Sequence, residues 1–384
     1  MSHTDIKSLD EFKILARKKT HRVLFNYFST GAGDDQTLED SKAAFKRFRL
    51  KPRIFRSDPN PDLGVSIQGH PIRVPFGIAP TAIQASAHPD GESATAKAAE
   101  GFGTIMILSS VSQTTIEDVR KSAPNAHLWM QTYVFKDRRN TIDIVRRAEK
   151  EGFEAIVVTV DSPVMGRFSQ IRVKYEEFKE DESEEQEKQN IPMKSLVNVR
   201  GCPSDIERAK AAGDVNITQY VRNQIGESYP KWEDLASLRK LTNLPIILKG
   251  IISAESAREA VAAGVQGIIV SAHGGRQLDG VQAPIEALPE IVDALTGSNV
   301  EVYLDGGVRS GRDVFKALAI GAKAVFIGRP IIWGLICDGT SGVKQVLQHV
   351  EDELVNTMSL CGCNRVAEIT PSLVMHESQV LSKL

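Results

Sequence analysis

From about residue 70 the chain alternates short apolar, β-branched runs with amphipathic stretches, and this alternation limits the possible folds more than any other feature. "RVPFGIAP" precedes the helical "GESATAKAAEGFG", "TIMILS" precedes "TIEDVRKSA", "HLWMQTY" precedes "RNTIDIVRRAEKEG", and "EAIVVTVD" ends in a polar turn. After a long excursion, "WEDLASLRKLT" leads to "PIILKG", "AESAREAVAAG", "GIIVSA", "PIEALPEIVDALTG", "VEVYLDGG", "GRDVFKALAIG" and "KAVFIGR". Within "SAESAREAVAAG", Ser253 caps the start, Ala257, Ala260, Val261 and Gly264 share one face, and Gly264 closes the helix. Strands that are apolar throughout and separated by helices belong to a parallel sheet covered on its other side. Eight of them predict an α/β fold of the closed (β/α)8 TIM-barrel type. A doubly wound sheet is the main rival, but it usually has fewer strands and an early G-x-G-x-x-G turn. Here strand one is followed by "APTAIQASA".

Three segments lie outside the count, all within a single expected domain over 1–384. Residues 1–70, with a helix or two and then "KPRIFRSDPNPDLG", form an N-terminal cap; residues 71–360 form the barrel; residues 361–384 form a tail. Residues 162–230 make a long insertion loop after strand four. Its charged run "EEFKEDESEEQEKQN" reads as a solvated segment. With 384 residues, 41% of them hydrophobic, the chain can bury one large barrel core.

The 47 basic and 49 acidic residues give a net charge of −2, so no excess positive field draws the chain to nucleic acid or to an anionic membrane. No stretch approaches the roughly 20 apolar residues of a membrane span, and "MSHTDIKSLDEFKILARKK" lacks a signal-peptide core, so a soluble intracellular protein is expected. Cys202, Cys337, Cys361 and Cys363 have no zinc-type spacing with histidine; no metal is expected, and Cys361 and Cys363 read as reduced structural residues. The terminal Ser382-Lys383-Leu384 reads as a peroxisomal import address, with the import receptor as partner; an ordinary frayed terminus is the alternative.

In barrels of this kind the chemistry sits where strands end and the following loops begin. The endings here are Thr81; Ser109; Gln131 and Tyr133; Thr159 and Asp161; Lys249; Ser271 and His273; Asp305 and Arg309; and Arg329. Any one of them could be a turn former. Eight polar endings around one mouth point to a ligand. The last two, "DGGVRSG" and "IGRP", are glycine-rich turns with arginines at the usual barrel phosphate position, which predicts a phosphorylated cofactor, with simple turns as the alternative.

"SAHGGRQLDG" sets His273 three residues before Arg276. An imidazole titrating near pH ~6.5 accepts a proton at working pH, and a guanidinium clamps a carboxylate. That pair suits a carboxylic acid reacting at the adjacent carbon. Asp161 could stabilise the imidazolium, and Lys249 could set positive charge beside a cofactor that becomes anionic. Alone, an H-x-x-R would read as a structural histidine with a surface arginine.

The same residues resemble the FMN-dependent 2-hydroxy acid oxidase and dehydrogenase family, to which glycolate oxidases belong. "SAHGGRQLD" looks like the family signature, and "NYFSTGAGDDQTL", "IAPTA", "GTIMILSS", "TVDSP", "PIILKG", "YLDGGVR" with "GRDVFKALA", and "VFIGRP" match in order over nearly the whole chain. The resemblance implies His273 as base, paired with Asp161, and Arg276 as carboxylate clamp. Tyr27, in "FNYFSTGA", would also hold the carboxylate, and Tyr133 the substrate oxygen. Lys249 would sit near N1 of the flavin. FMN would lie against Pro80, Thr81, Ala82, Ser109, Gln131, Thr159 and Ser271, with its phosphate at Asp305, Gly306, Gly307, Arg309, Gly328 and Arg329.

The implied reaction oxidises an (S)-2-hydroxy acid to a 2-oxo acid, with O2 reduced to hydrogen peroxide; the family often forms homotetramers. Three positions depart from the pattern. Ala272 stands where asparagine is usual, Phe168 where a second, mobile arginine is common, with Arg167 one residue early, and Val111 where short-chain glycolate oxidases have an aromatic residue. Val111 and Phe168 predict room for a medium- or long-chain acid. A dehydrogenase with another electron acceptor, and a catalytically impaired flavin-binding protein, are the alternatives.

Overall fold

The computed structural model describes residues 8–56, 60–163, 197–199 and 224–381. Three helices open it, where the sequence suggested one or two: α1 (Leu9–Lys19), α2 (Arg22–Ser29) and α3 (Gln36–Arg47). The least legible is α2, eight residues long. It buries Leu24, Phe25 and Phe28, and Phe25 lies 5.1 Å from the ring of Trp333, so tertiary burial rather than local propensity holds it helical. After α3 come β1 (Phe48–Leu50) and a two-stranded antiparallel hairpin, β2 (Val65–Ile67) with β3 (His70–Ile72).

Eight parallel strands then close a barrel in chain order: β4 (Phe76–Ile78), β5 (Ile105–Ser109), β6 (His127–Tyr133), β7 (Ala155–Thr159), β8 (Ile246–Ile251), β9 (Gly267–Val270), β10 (Glu301–Asp305) and β11 (Ala324–Ile327), with β11 pairing back onto β4. The fold is the (β/α)8 barrel that the alternation predicts. Its interior is packed: Trp129, Tyr303 and Phe326 stack at mutual ring distances of 5.5 to 5.8 Å, with Ile105, Ile107, Val157, Ile247 and Ile269 around them. Ile67 and Ile72 of the hairpin join this same cluster, so the hairpin plugs the N-terminal end of the barrel. The plug runs to Ile72, past the boundary expected at residue 70.

A larger apolar layer lies between the outer strand faces and the helices. In helix Ala254–Ala262, Ser253 accepts the amide of Ser256, and Ala257 and Ala260 are buried, as the sequence predicts. Helix Arg329–Cys361 follows β11 and is kinked at Asp338 and Gly339. The tail is less independent than expected, because β12 (Val374–His376) pairs antiparallel with β1 and clasps the two ends of the chain together. Cys337, Cys361 and Cys363 are buried and unbridged, and burial raises the thiol of Cys337 to about 11. No helix among the described residues is long and apolar enough to cross a membrane. Cys202 and Ser382-Lys383-Leu384 lie outside the described residues.

Candidate active site

Period two along each strand builds the site. Residues that face the barrel interior recur at alternate positions, and on strand after strand that inward series runs from an apolar side chain to a polar one. Ile107 is followed by Ser109, Trp129 by Gln131 and Tyr133, Val157 by Thr159 and Asp161, Ile247 by Lys249, Ile269 by Ser271 and His273, and Tyr303 by Asp305. The register sets Ser109 beside Gln131, Tyr133 beside Thr159, and Thr159 beside Lys249. The barrel therefore brings the predicted strand-end residues to one mouth.

There they form two hydrogen-bonded groups. The Gln131 side-chain amide donates to Thr159 Oγ1 (2.9 Å) and its Oε1 accepts the amide of Ser110 (3.1 Å). Lys249 Nζ donates to Ser271 Oγ (2.8 Å) and stands 3.0 Å from Asp305 Oδ2. Ser271 Oγ accepts in turn from the backbone of His273 (3.1 Å). Tyr133 is held neutral well above its ordinary range, first by burial and then by the Asp161 charge.

His273 occupies a left-handed backbone conformation (φ 54°), followed by Gly274 (φ 64°) and Gly275 (φ 72°). Three such residues in succession need glycines, and a side chain held this way marks a strained, over-determined position. The turn sets His273 Nδ1 2.6 Å from Asp161 Oδ1, with Ser162 Oγ at 3.4 Å. In the neutral ring Nδ1 then carries its proton toward Asp161, which leaves Nε2 as the accepting nitrogen. Burial would raise the Asp161 carboxyl, but the His273 charge and hydrogen bond, aided by Lys249, bring it below its ordinary value. On the same turn Arg276 donates Nη1 to the Tyr27 carbonyl (2.9 Å), and its guanidinium carbon lies 4.7 Å from the Tyr27 ring centre. Two separate segments thus deliver Tyr27 and Arg276 to one place.

One side of the mouth is built from arginines and bent backbone. Gly306 (φ 94°) and Gly307 (φ 79°) follow Asp305, and a Cβ at Gly307 would collide with the Ser41 carbonyl of α3. Arg309 lies beside them, its backbone amide on Asp313 Oδ2 (2.9 Å). Arg329 donates Nε to the Phe28 carbonyl and its two terminal nitrogens to those of Gly274 and Thr30, each at 2.8 Å. It therefore braces the His273 turn as well as adding charge. Burial, then the charges of Arg276 and Arg309, lower its proton affinity. An anion among these three guanidiniums offsets both the burial and the repulsion.

Next to this side, past the end of the neighbouring strand β4, Thr81 Oγ1 accepts from Gln84 (2.8 Å), Pro80 and Ala82 line the same turn, and Gly328 has only ordinary contacts, with Thr81 and Ala79. Ile83, β-branched at φ 53°, is strained there. Asp305 Oδ1 and Asp161 Oδ2 are buried with no hydrogen-bond partner among the described residues. Unsatisfied polar atoms, clustered guanidiniums and glycine turns at one mouth fit a phosphorylated, hydrogen-bonding cofactor.

Sequence reasoning missed several supporting residues. Gln277 donates to Ser162, which holds the Asp161–His273 pair from behind. Gly250 passes so close under Asp161 that any Cβ would clash with it. Asp279 accepts the backbone amides of Asp34, Gln36 and Thr37, capping α3 across the fold. The "LKG" and "RQLDG" runs contain these residues, but nothing in their spacing names the partners. Of the three departures, Ala272 is buried beside the turn and Val111 is half-buried at the end of β5. Phe168 and Arg167 lie outside the described residues.

Residues 16–376 match the FMN-dependent dehydrogenase family. The chain is 44% identical to glycolate oxidase of Spinacia oleracea, covering 96% of this chain and 95% of that protein, and 42% identical to 2-hydroxyacid oxidase 1 of Homo sapiens, covering 98% of each. It is also similar to the solved structure of mandelate oxidase with (S)-4-hydroxymandelic acid, at a TM-score of 0.82 and 34% identity over 95% of this chain and 97% of that one. With a closed barrel, a cofactor mouth of the right chemistry and full-length similarity, the chain belongs to the FMN-dependent dehydrogenase family.

Proposed function

We propose that the chain oxidises an (S)-2-hydroxy acid to the 2-oxo acid with O2 as electron acceptor, and that it favours medium- or longer-chain acids. The observation that carries the reading is the His273–Asp161 pair at 2.6 Å, presented on the same turn as Arg276, which lies over Tyr27. Arg276 and Tyr27 hold the substrate carboxylate, which fixes the adjacent carbon near the base. His273 takes a proton at Nε2, and Asp161 stabilises the imidazolium that results. Tyr133, held protonated, donates to the substrate hydroxyl oxygen, and Lys249 stabilises negative charge at the neighbouring face of the cofactor.

FMN, when bound, supplies the two-electron acceptor within the site. The acid loses two electrons and two protons, and O2 takes up the same number to become hydrogen peroxide. Pro80, Thr81, Ala82, Ser109, Gln131, Thr159 and Ser271 position the flavin; Asp305, Gly306, Gly307, Arg309, Gly328 and Arg329 surround its phosphate. Support for a longer acid comes from Val111, a small, half-buried side chain just past β5 whose backbone amide donates to Ser109 Oγ at 3.1 Å.

The test follows flavin bleaching without air, and peroxide with it, across 2-hydroxy acids of rising chain length. Bleaching and peroxide are expected, with kcat/KM rising from glycolate toward a hydroxyoctanoate, and His273→Gln is expected to slow bleaching at least ~100-fold. Bleaching without peroxide would make the chain a dehydrogenase with another acceptor, and no bleaching by any acid would leave only flavin binding.

A further inference from the structure

At the end of the barrel opposite the active site, three side chains converge that no part of the reaction uses. His127 opens β6, Glu154 immediately precedes β7, and His70 opens β3 of the hairpin that plugs the barrel. Both imidazoles face one carboxylate oxygen. His127 Nδ1 lies 2.8 Å and His70 Nδ1 3.7 Å from Glu154 Oε1, and one ligand atom of each residue falls within 4.8 Å of the others. The rings stand edge to face at 6.2 Å.

An ordinary ion pair with a carboxylate needs only one imidazole; a second one aimed at the same oxygen is the arrangement of a ligand set. Bonds of about 2.0–2.2 Å from a tetrahedral ion put neighbouring ligand atoms about 3.4 Å apart. The distances here bracket that value. Glu154 Oε2 is buried and has no hydrogen-bond partner among the described residues. The nearby cation, Arg120, does not supply one, because its guanidinium is tied to the carbonyls of Ala126, Pro124, Glu151 and Gly152 at 2.9 to 3.1 Å. Glu154 Oε2 thus keeps its acceptor capacity. The His70 side chain is 43% exposed, which gives an ion access from solvent and leaves the fourth position to water.

We propose that His70, His127 and Glu154 bind a divalent metal ion of the zinc type, which ties the β2–β3 plug to the floor of the barrel. Two imidazoles with one carboxylate and no thiolate suit zinc rather than calcium or magnesium. Because the ligands come from the hairpin and from the starts of two barrel strands, the ion adds a link between elements that also meet through packing and the contacts of Gln68 with Gln266, Glu301 and Tyr303. Its effect falls on stability, since the reacting groups sit at the other ends of β6 and β7.

The experiment uses chelator-treated, FMN-loaded protein and zinc chloride. Calorimetric titration is expected to show one ion bound per chain, with the unfolding temperature raised by several degrees and the rate of flavin reduction unchanged. Cobalt(II) is expected to give the intense visible absorption of a tetrahedral site, displaced by zinc. His70→Ala, at an exposed hairpin position, and Glu154→Gln should each abolish the cobalt signal and the thermal shift while retaining FMN and turnover. Absence of stoichiometric binding by the parent protein overturns the proposal. So does binding that survives in both variants.

Discussion

His273 is held in a left-handed conformation that costs free energy, and three groups converge to keep it there: Ser271 Oγ on its amide, Asp161 on its ring, and Arg329 on the carbonyl of Gly274. An imidazole placed by so many contacts is pre-oriented, which is what the proposed role of His273 as base requires. Asp161 carries the electrostatic half of the arrangement. Its folded pKa lies below the unfolded value of about 3.9, so its ionised form stabilises the native state above that pH. The contribution is lost as the pH falls through the folded value. Asp161→Asn is therefore expected to lower the urea midpoint at pH 7, with the gap to the parent protein narrowing below about pH 4. Flavin reduction by the acid should slow about 100-fold or more. A stability gap independent of pH would show that Asp161 acts through packing rather than charge.

At the scale of elements, the decisive contact joins the His273 turn to the N-terminal helices. The residue before α3, Asp35, is left-handed and makes no side-chain cap bond; Asp279 provides the cap instead, taking the amides of Thr37 (2.8 Å), Asp34 (2.9 Å) and Gln36 (3.3 Å). Burial would raise this carboxyl, and the backbone donors bring it below its ordinary value. The same loop carries Gly31, whose missing side chain allows contact with the carbonyl of Gly275, and α2 just before it carries Tyr27. Asp279→Ala is expected to cost about 1 kcal/mol of stability and to raise KM for the acid more than it lowers kcat, because Tyr27 loses its fixed relation to Arg276. Asp279→Asn, which keeps a cap acceptor, should restore most of both; steady-state kinetics and denaturant titration of the two variants measure this.

For the whole molecule, the barrel interior is the platform on which the candidate site stands. Trp129 is fully buried two residues below Gln131 on the same face of β6, and it touches the rings of Tyr303 and Phe326, which lie below Asp305 and beside β4. Trp129→Ala opens a cavity under Gln131 and is expected to cost about 3–5 kcal/mol. Chemical denaturation should show that loss, and fluorescence titration should show weaker FMN retention, since Gln131 and Asp305 lose the layer that fixes their height. Undiminished FMN affinity in a destabilised variant would separate barrel packing from cofactor binding.

The sequence by itself determined the architecture and most of the candidate site, because both rest on local periodicity. Eight apolar runs split by helices have few ways to bury their faces, and alternation along a strand already decides that Gln131, Thr159, Lys249 and Ser271 face the same way as Trp129, Val157, Ile247 and Ile269. His273 and Arg276 became legible through the resemblance of "SAHGGRQLD" to the family signature, since their spacing alone would read as a structural histidine and a surface arginine. Periodicity says which face a side chain occupies and nothing about which distant residue meets it. Tertiary packing alone brought Asp279 to the amides of α3, Arg329 to the carbonyls of Phe28 and Thr30, and β12 to β1. It also gathered His70, His127 and Glu154, which share no motif, around one carboxylate oxygen. These pairings depend on strand register and on the return of the chain to its starting strand, and those are set by the packing of the whole barrel rather than by any window of sequence.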